Sequence, residues 1–386
     1  MTAGKVLITG AGGYLGRRLA RRYLEGTDRD LILWLRAKDA AEAASKREAL
    51  AAHYLPWEGR VQFAFGDLSQ EEPFQGIDAA SVGTILHGAA IIRFNVEKED
   101  ARRTNLEGTG KMLAFASRCS KLERLGLISS VYSSGLRAGA VEERLFDGQD
   151  GFCNHYEWSK WESEAALTSR YSHLPWSILR VATVIADDES GKVSQYNAVH
   201  NTLMLFHYGL LSLIPGGKDV PLYFVTGAFA ADAIAAAMGS ATPAATASGA
   251  GSSASSTGAG RIYHISHRRE ESITLGGFIE AAFDQFGEDE AFKARRLLKP
   301  LFADQKSFDI LVEGMKSFGG GVVNDSLASV TPFARQLFVA KDTQNDTLRA
   351  AFPGYRSPDP VAQIRATCGY LTRTKWGRLP DTEAQA

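Results

Sequence analysis

The stretch "KVLITGAGGYLGRRLA" (Lys5–Ala20) sets glycines at Gly10, Gly13 and Gly16, with a further one at Gly12, between an apolar run and a helix-forming run. Few folds accept that placement. A strand that must turn sharply into a helix needs a residue that permits a tight turn, which Gly10 would supply. Gly13 leaves room for a ligand at the helix N-terminus, where free N–H groups and the helix dipole attract an anion such as a pyrophosphate. Gly16 lets the helix lie close against the strand it left. A glycine loop in this strand-to-helix context is a dinucleotide-binding signal.

The rest of the first half repeats the alternation. "LILWL", "RVQFAF", "TILHG", "RLGLISS" and "WSILRVATVI" are short apolar runs, separated by helical patterns such as "DAAEAASKREALAAHY" and a long one from Val96 to Cys119. Strands alternating with helices imply parallel pairing through right-handed crossovers. Strands apolar at nearly every position imply helices on both faces. The expected fold is α/β: a Rossmann-type doubly wound parallel sheet with a smaller, mainly helical C-terminal substrate-binding region. The sequence divides into a dinucleotide-binding domain at 1–190 and a substrate-binding region at 191–386, partly interleaved with it. The Ala/Ser/Gly/Thr-rich segment 240–260 has too little apolar surface to offset its ordering entropy and reads as a flexible loop. The tail from Ser272 to Leu371 reads as mainly helical, with "SFGGGVVND" as a break.

With 43 basic and 44 acidic residues the formal net charge is −1. No cationic excess is available to neutralise phosphates, so nucleic acid is not an expected partner. Cys119, Cys153 and Cys368 lie far apart and form no CxxC pair. A reducing cytoplasm is the expected compartment, and no metal site is expected. The N-terminus lacks the basic-then-apolar pattern of a secretory signal. The longest apolar stretch, "AVHNTLMLFHYGLLSLIP" (Ala198–Pro215), is shorter and more polar than the roughly 20 residues needed to cross a bilayer. No transmembrane segment is expected, while peripheral membrane contact stays open.

The end of the second strand chooses between dinucleotides. An acid there would hold a ribose 2′-hydroxyl. "LILWLRAKD" offers Arg36 and Lys38 instead, and a guanidinium matches a 2′-phosphate, so the expected cofactor is NADP(H). Asp67 in "FGDLS" would accept from the adenine amine.

Tyr156 and Lys160 in "HYEWSKWESE" fall one helical turn apart, after a strand that ends in Ser129 and Ser130. A hydride arriving at a carbonyl carbon leaves charge on oxygen, which needs a proton or a strong donor. A phenol is a poor acid, with a pKa of about 10, and a neighbouring ammonium lowers it. Lys160 is therefore expected to acidify Tyr156 and to reach the ribose hydroxyls. Ser130 is expected to hold the carbonyl oxygen, with Ser129 as its alternative.

These residues together resemble the extended short-chain dehydrogenase/reductase superfamily, and most closely its fatty acyl-CoA reductase (male sterility) and thioester-reductase branch. "TGAGGYLG", "LRA", "GDLS", "ILHGAAIIRFN", "NLEGT", "ISSVYSSG" and "YEWSK" occur in that family's order, from about Lys5 to Ala236. The resemblance implies cofactor contacts at Gly10, Gly13, Gly16, Arg36, Asp67, Leu68, Gly88, Ala89 and Ala90. It puts Ser130, Tyr156 and Lys160 at the chemistry. Thr9, Tyr14, Leu15, Asn105, Lys160 and Val181 complete the expected cofactor set. Val181 departs from the family, which usually has proline after this arginine.

The expected activity is NADPH-dependent reduction of an acyl thioester, on coenzyme A or a carrier protein, to an aldehyde and on to an alcohol if a second hydride follows. "NTLMLFHYGLLSLI" would line the acyl channel or simply pack a core. Cys153 as a covalent nucleophile, His155 as a base and the basic run "KARRLLK" (Lys293–Lys299) as a docking face are weaker readings. Two alternatives share the same residues: a ketone/alcohol oxidoreductase of hydroxysteroid or β-keto type, and a non-catalytic NADP-binding sensor.

Overall fold

The computed structural model describes residues 4–239, 260–318 and 321–380. Seven strands form one parallel sheet: β1 (Lys5–Thr9), β2 (Leu31–Arg36), β3 (Val61–Gly66), β4 (Val82–His87), β5 (Arg124–Ser130), β6 (Trp176–Val181) and β7 (Arg261–Ile265). Their order is β7-β6-β5-β4-β1-β2-β3, so the chain reverses direction across the sheet between β1 and β4. The helices that matter below are α1 (Tyr14–Gly26), α2 (Ala40–Ala51), α3 (Gly108–Ala116), α4 (His155–Arg170), α5 (Ala198–His207), α6 (Gly227–Gly239) and α7 (Leu275–Phe286).

The strands obey a period of two on both faces. Val6, Ile8, Leu31, Leu33 and Leu35 point into one core with Leu19, Ala20 and Leu24 of α1 and Ala233, Ile234 and Ala237 of α6. Leu7, Ile32 and Trp34 point into the other, with Met112, Leu113 and Phe115 of α3 and Leu167 of α4. Helices on both faces explain why β4 is buried at every residue.

The second half of the chain returns to this sheet. Strand β7 pairs with β6 from Arg261↔Ser177 to Ile265↔Val181, and α6 packs against α1. A separate core forms from α5, α7, the helix Pro360–Arg373 and residues between Phe308 and Leu337. Two short parallel pairs join the parts, Thr183–Ala186 with Phe224–Thr226 and Gly139–Val141 with Lys341–Thr343.

Three sequence expectations fall here. Residues 240–259 of the small-residue segment lie outside the described residues. The break at "SFGGGVVND" is narrower than expected, because helices Gln305–Phe318 and Gly321–Val330 flank residues 319–320. The stretch expected to line a channel or a core takes the second course: Leu203, Leu205, Phe206, Leu211 and Ile214 pack against α7 in the C-terminal core. Among the described residues, no helix is long and apolar enough to cross a membrane.

Candidate functional site

The glycine turn lies at the point where strand order reverses, the place where open α/β sheets take ligands. Gly10 has φ +72°, and a Cβ there would stand 2.9 Å from the Ala89 nitrogen. At Gly16 a Cβ would come within 2.2 Å of the Gly10 carbonyl oxygen. Both positions exclude any side chain. Gly13 precedes the first residue of α1 and brings no capping side chain, and the first turn holds no acid. The helix thus begins with free N–H groups beside a strip of backbone cleared of side chains, which fits a dinucleotide's pyrophosphate.

The neighbouring expected contacts are partly structural. The Thr9 hydroxyl meets His87 Nδ1 at 2.7 Å and accepts from the Gly88 and Ala89 N–H groups at 3.2 Å each. It ties the end of β1 to the turn after β4, where Ala90 also lies. The Tyr14 hydroxyl donates to the Ala186 carbonyl at 3.3 Å, and Arg18 pairs with Asp187 at 3.0 Å. Leu15 packs on the core beneath the sheet. Leu68 is buried under Gly108, and Val181 closes β6, also buried.

Arg36 ends β2 with its side chain 74% exposed and its guanidinium 2.9 Å from Asp67. Besides Asp67, two nearby acids are engaged elsewhere. Asp39 caps α2 by accepting from Glu42 N–H at 2.8 Å, and Glu42 pairs with Lys46 at 2.6 Å.

Asn105 sits in a π-helical turn, Ala101–Glu107, ahead of α3. Both of its amide N–H groups are taken, by the Ile91 carbonyl and the Ser159 hydroxyl at 2.9 Å each, while its oxygen accepts from Ile91 N–H at 2.7 Å. It clasps the segment after β4 to α4 with its side-chain amide, at a position where a cofactor contact was expected.

Ser130, Tyr156 and Lys160 come together at the carboxyl end of β5. Asn154 caps α4 by accepting from Glu157 N–H at 3.0 Å, so Tyr156 enters in the first turn and Lys160 one turn on. The Lys160 ammonium lies 6.0 Å from the Tyr156 ring centre and donates to the Ile128 carbonyl at 3.0 Å. Burial lowers its pKa to about 8, with Glu164 opposing. The Tyr156 phenol is pushed up to about 12 by burial, while a hydrogen bond with Ser130 pulls it back. The acidified phenol expected from the sequence is therefore not what the site shows: desolvation dominates, and the relief comes from Ser130. The two serines separate by partner: Ser129 donates to Glu164 at 2.5 Å, whereas Ser130 bonds with Tyr156.

Several residues around the site escape a reading of the sequence. Glu164 carries the same helical face one turn beyond Lys160, and that spacing is its signal. It receives Arg180 through a fully buried pair, closest at 2.6 Å. Glu157 is buried and accepts from Cys153 N–H, Asn154 Nδ2 and Gln336 Nε2, each at 3.0 Å. The Asn-x-x-Glu pattern of a capping box is its signal. Lys341, also buried, donates to the Ser134 hydroxyl and to the carbonyls of Gly135 and Arg137. No sequence signal marks this lysine or Gln336, which come from a segment about 180 residues downstream.

The weaker candidates take other roles. Burial and the Glu157 charge push the Cys153 thiol up to about 12, unsuited to a nucleophile. His155 contacts the Val96 carbonyl at 3.2 Å through Nδ1. In the basic run, Lys293 pairs with Glu290, Lys299 with Glu280, and Arg295 donates to the His207 carbonyl at 2.7 Å.

The sheet order, the glycine turn at its switch point and the fold's returning second half define the class: an oxidoreductase of the extended short-chain dehydrogenase/reductase type. The model of the Male sterility protein family matches residues 8–234, and the chain belongs to that family. Among curated relatives, the isonitrile lipopeptide synthase of Streptomyces coeruleorubidus is 27% identical over 216 residues, 52% of this chain and 14% of that protein. A carboxylic acid reductase of Mycobacterium tuberculosis is 26% identical over 244 residues, 55% of this chain and 20% of the relative. The chloroplastic fatty acyl-CoA reductase 2 of Arabidopsis thaliana is 27% identical over 168 residues, 38% and 27%. The chain thus spans a small part of the curated relatives it matches. Among solved structures, the terminal R domain of the myxalamid PKS-NRPS pathway superposes with a TM-score of 0.73 at 19% identity, covering 99% of this chain and 94% of that one. The reductase domain of a nonribosomal peptide synthetase from Mycobacterium tuberculosis gives 0.68 at 19% identity, over 98% and 93%.

Proposed function

We propose that this protein reduces an acyl thioester, carried on coenzyme A or a carrier protein, to an aldehyde with NADPH, through Ser130, Tyr156 and Lys160. The observation that carries this reading is the gathering of those three side chains at the end of β5, two strands from the glycine turn. Relatives named as carboxylic acid and fatty acyl-CoA reductases support the substrate class. The exposed Arg36, with the nearby acids engaged, supports a 2′-phosphate over a bare ribose.

The cofactor would lie with its pyrophosphate at Gly13 and the start of α1, its adenosine end at Arg36 and Asp67, and its ribose near Lys160. When bound, a reduced nicotinamide supplies the hydride. Ser130 and Tyr156 then hold the thioester oxygen with two hydroxyl donors aimed where negative charge develops. The Lys160 ammonium stabilises that charge from one turn below, and Tyr156 delivers the proton. The resulting hemithioacetal collapses with loss of thiol.

Following NADPH absorbance with long-chain acyl-CoA while titrating free thiol tests the reading. One thiol released per aldehyde formed is expected. NADPH oxidation with a simple ketone and none with thioesters would favour the ketone reductase. Cofactor binding without turnover on either would favour a sensor. Tyr156→Phe is expected to lower kcat by about 10³-fold with NADPH affinity nearly unchanged, and full activity in that variant would overturn the catalytic assignment.

A further inference from the structure

Tyr156 sits at one end of a cluster of aromatic rings. Phe94 meets its ring edge-on at 5.8 Å between centres, and Phe333 stacks on Phe94 at 5.1 Å with an interplanar angle of 18°. Tyr132 stands edge-on to both, at 6.3 Å from Phe94 and 4.9 Å from Phe333. Its hydroxyl is turned away to Thr183, at 3.1 Å, so it gives the cluster its ring. Ile91, Val96 and Ala101 complete the apolar surroundings of Tyr156. Phe94, Tyr132 and Phe333 are each half-buried, so the cluster that begins at Tyr156 keeps apolar surface uncovered.

Phe333 belongs to the segment Thr331–Phe338, far from the catalytic residues in sequence. The segment is held firmly. Gln336 donates to the Gly135 carbonyl and to Glu157 at 3.0 Å each, and Lys341 makes its three buried bonds to the turn after β5. These anchors fix Phe333 in place as a wall. The stretch 201–214, expected to line a channel, is committed to the C-terminal core and leaves that role open.

We propose that Phe94, Tyr132 and Phe333 form the wall that reads the acyl chain. A substrate whose carbonyl oxygen sits at Ser130 and Tyr156 lays its first acyl carbons along these rings. The site thereby selects apolar acyl groups several carbons long over short or polar ones. This rests on the thioester reading above.

The test compares wild type with Phe333→Ala and with Phe333→Leu, which keeps an apolar side chain if alanine unsettles the fold. Two readouts are taken: kcat/KM for dodecanoyl-CoA against acetyl-CoA, and Kd for the unreactive thioethers dodecyl-CoA against ethyl-CoA. We expect the long-to-short preference to fall about tenfold in Phe333→Ala, and less in Phe333→Leu, by both readouts. Turnover with preferences within about twofold of wild type in both variants would overturn the wall and leave the thioester reading standing. If wild type turns over no thioester, the functional reading fails. The thioether ratios then decide the wall alone: a tenfold fall sustains it as a ligand surface, and an unchanged ratio overturns it.

Discussion

Two buried polar clusters share the end of β5 and differ in how fully their hydrogen bonding is satisfied. On one side Ser129, Glu164, Arg180 and His264 form a closed set. Glu164 accepts from Ser129 and from Arg180 through Nε and Nη2, while Arg180 Nη1 reaches the Arg144 carbonyl at 2.9 Å and His264 Nε2 at 3.2 Å. Phe146 covers the guanidinium at 4.4 Å. In the second cluster Ser130 bonds with Tyr156, and Lys160 has bonding capacity to spare: the Ile128 carbonyl takes one of its three donors. A charge pair with both polar ends satisfied is scaffolding. A buried ammonium with donors to spare, beside a buried phenol, marks a candidate site. Adjacent residues on one strand point in opposite directions, and the two serines accordingly meet different residues of α4, Ser129 meeting Glu164 and Ser130 meeting Tyr156.

The largest expected effect comes from breaking the closed set. Arg180→Met leaves Glu164 buried with Ser129 as its remaining side-chain donor, and should lower stability by about 3–5 kcal/mol in denaturant titration. Adding Glu164→Leu should restore most of it, because the penalty lies in the unpaired charge rather than in the loss of a favourable pair. If the double variant were as unstable as the single, the pair would be contributing net stability and the contrast would need redrawing.

A smaller effect separates the two serines. Ser130→Ala removes one of the two hydroxyls at the proposed oxyanion position and should lower kcat about 10²-fold with modest change in stability. Ser129→Ala removes one neutral donor from Glu164, and should cost about 1 kcal/mol of stability while turnover with acyl-CoA stays within a few-fold. Equal losses of kcat in both variants would mean the two clusters act as one.

The sheet can be read from the sequence because its signals are local. The glycines announce the first turn, and the apolar strands announce a sheet covered on both faces. Tyr156 and Lys160 show in the i, i+4 spacing of a single helix. What the sequence hides is non-local. Phe333, Gln336 and Lys341 reach the site through tertiary packing from the far end of the chain, and nothing in "TPFARQLFVAKDT" marks a site-facing residue. The pKa of Tyr156 eludes the sequence for a related reason. Spacing gives the distance to Lys160, whereas the desolvation that pushes the phenol up to about 12 depends on Phe94 and its neighbours closing over it. The motif around Asn105 fixes where it sits in the chain, while Ile91 and Ser159 determine what its amide does.

The contrast sharpens last through pH, where activity and stability should move in opposite directions. Lys160 has its folded pKa lowered to about 8 by burial. In the proposed mechanism reduction needs the ammonium, so kcat/KM should fall as pH rises through about 8, approaching tenfold per pH unit. The Glu157 carboxyl, raised to about 7 by burial, gains its charge in the window just below and holds the phenol's proton more tightly, which steepens the same decline. For stability the sign reverses. A lysine whose pKa is lower folded than unfolded contributes stability that is present above its unfolded pKa and lost as pH falls through about 8. Raising pH from 7 towards 10 should therefore stabilise the fold through Lys160 while it extinguishes turnover. Lys160→Met should remove its share of that rise along with the activity, and leave the share of the buried Lys341, whose pKa burial also lowers to about 8. Measuring kcat/KM and the urea midpoint from pH 6.5 to 9.5, in wild type and Lys160→Met, checks both slopes. Parallel slopes in wild type would mean that lost activity is merely lost structure, and Lys160 would then belong with the closed cluster.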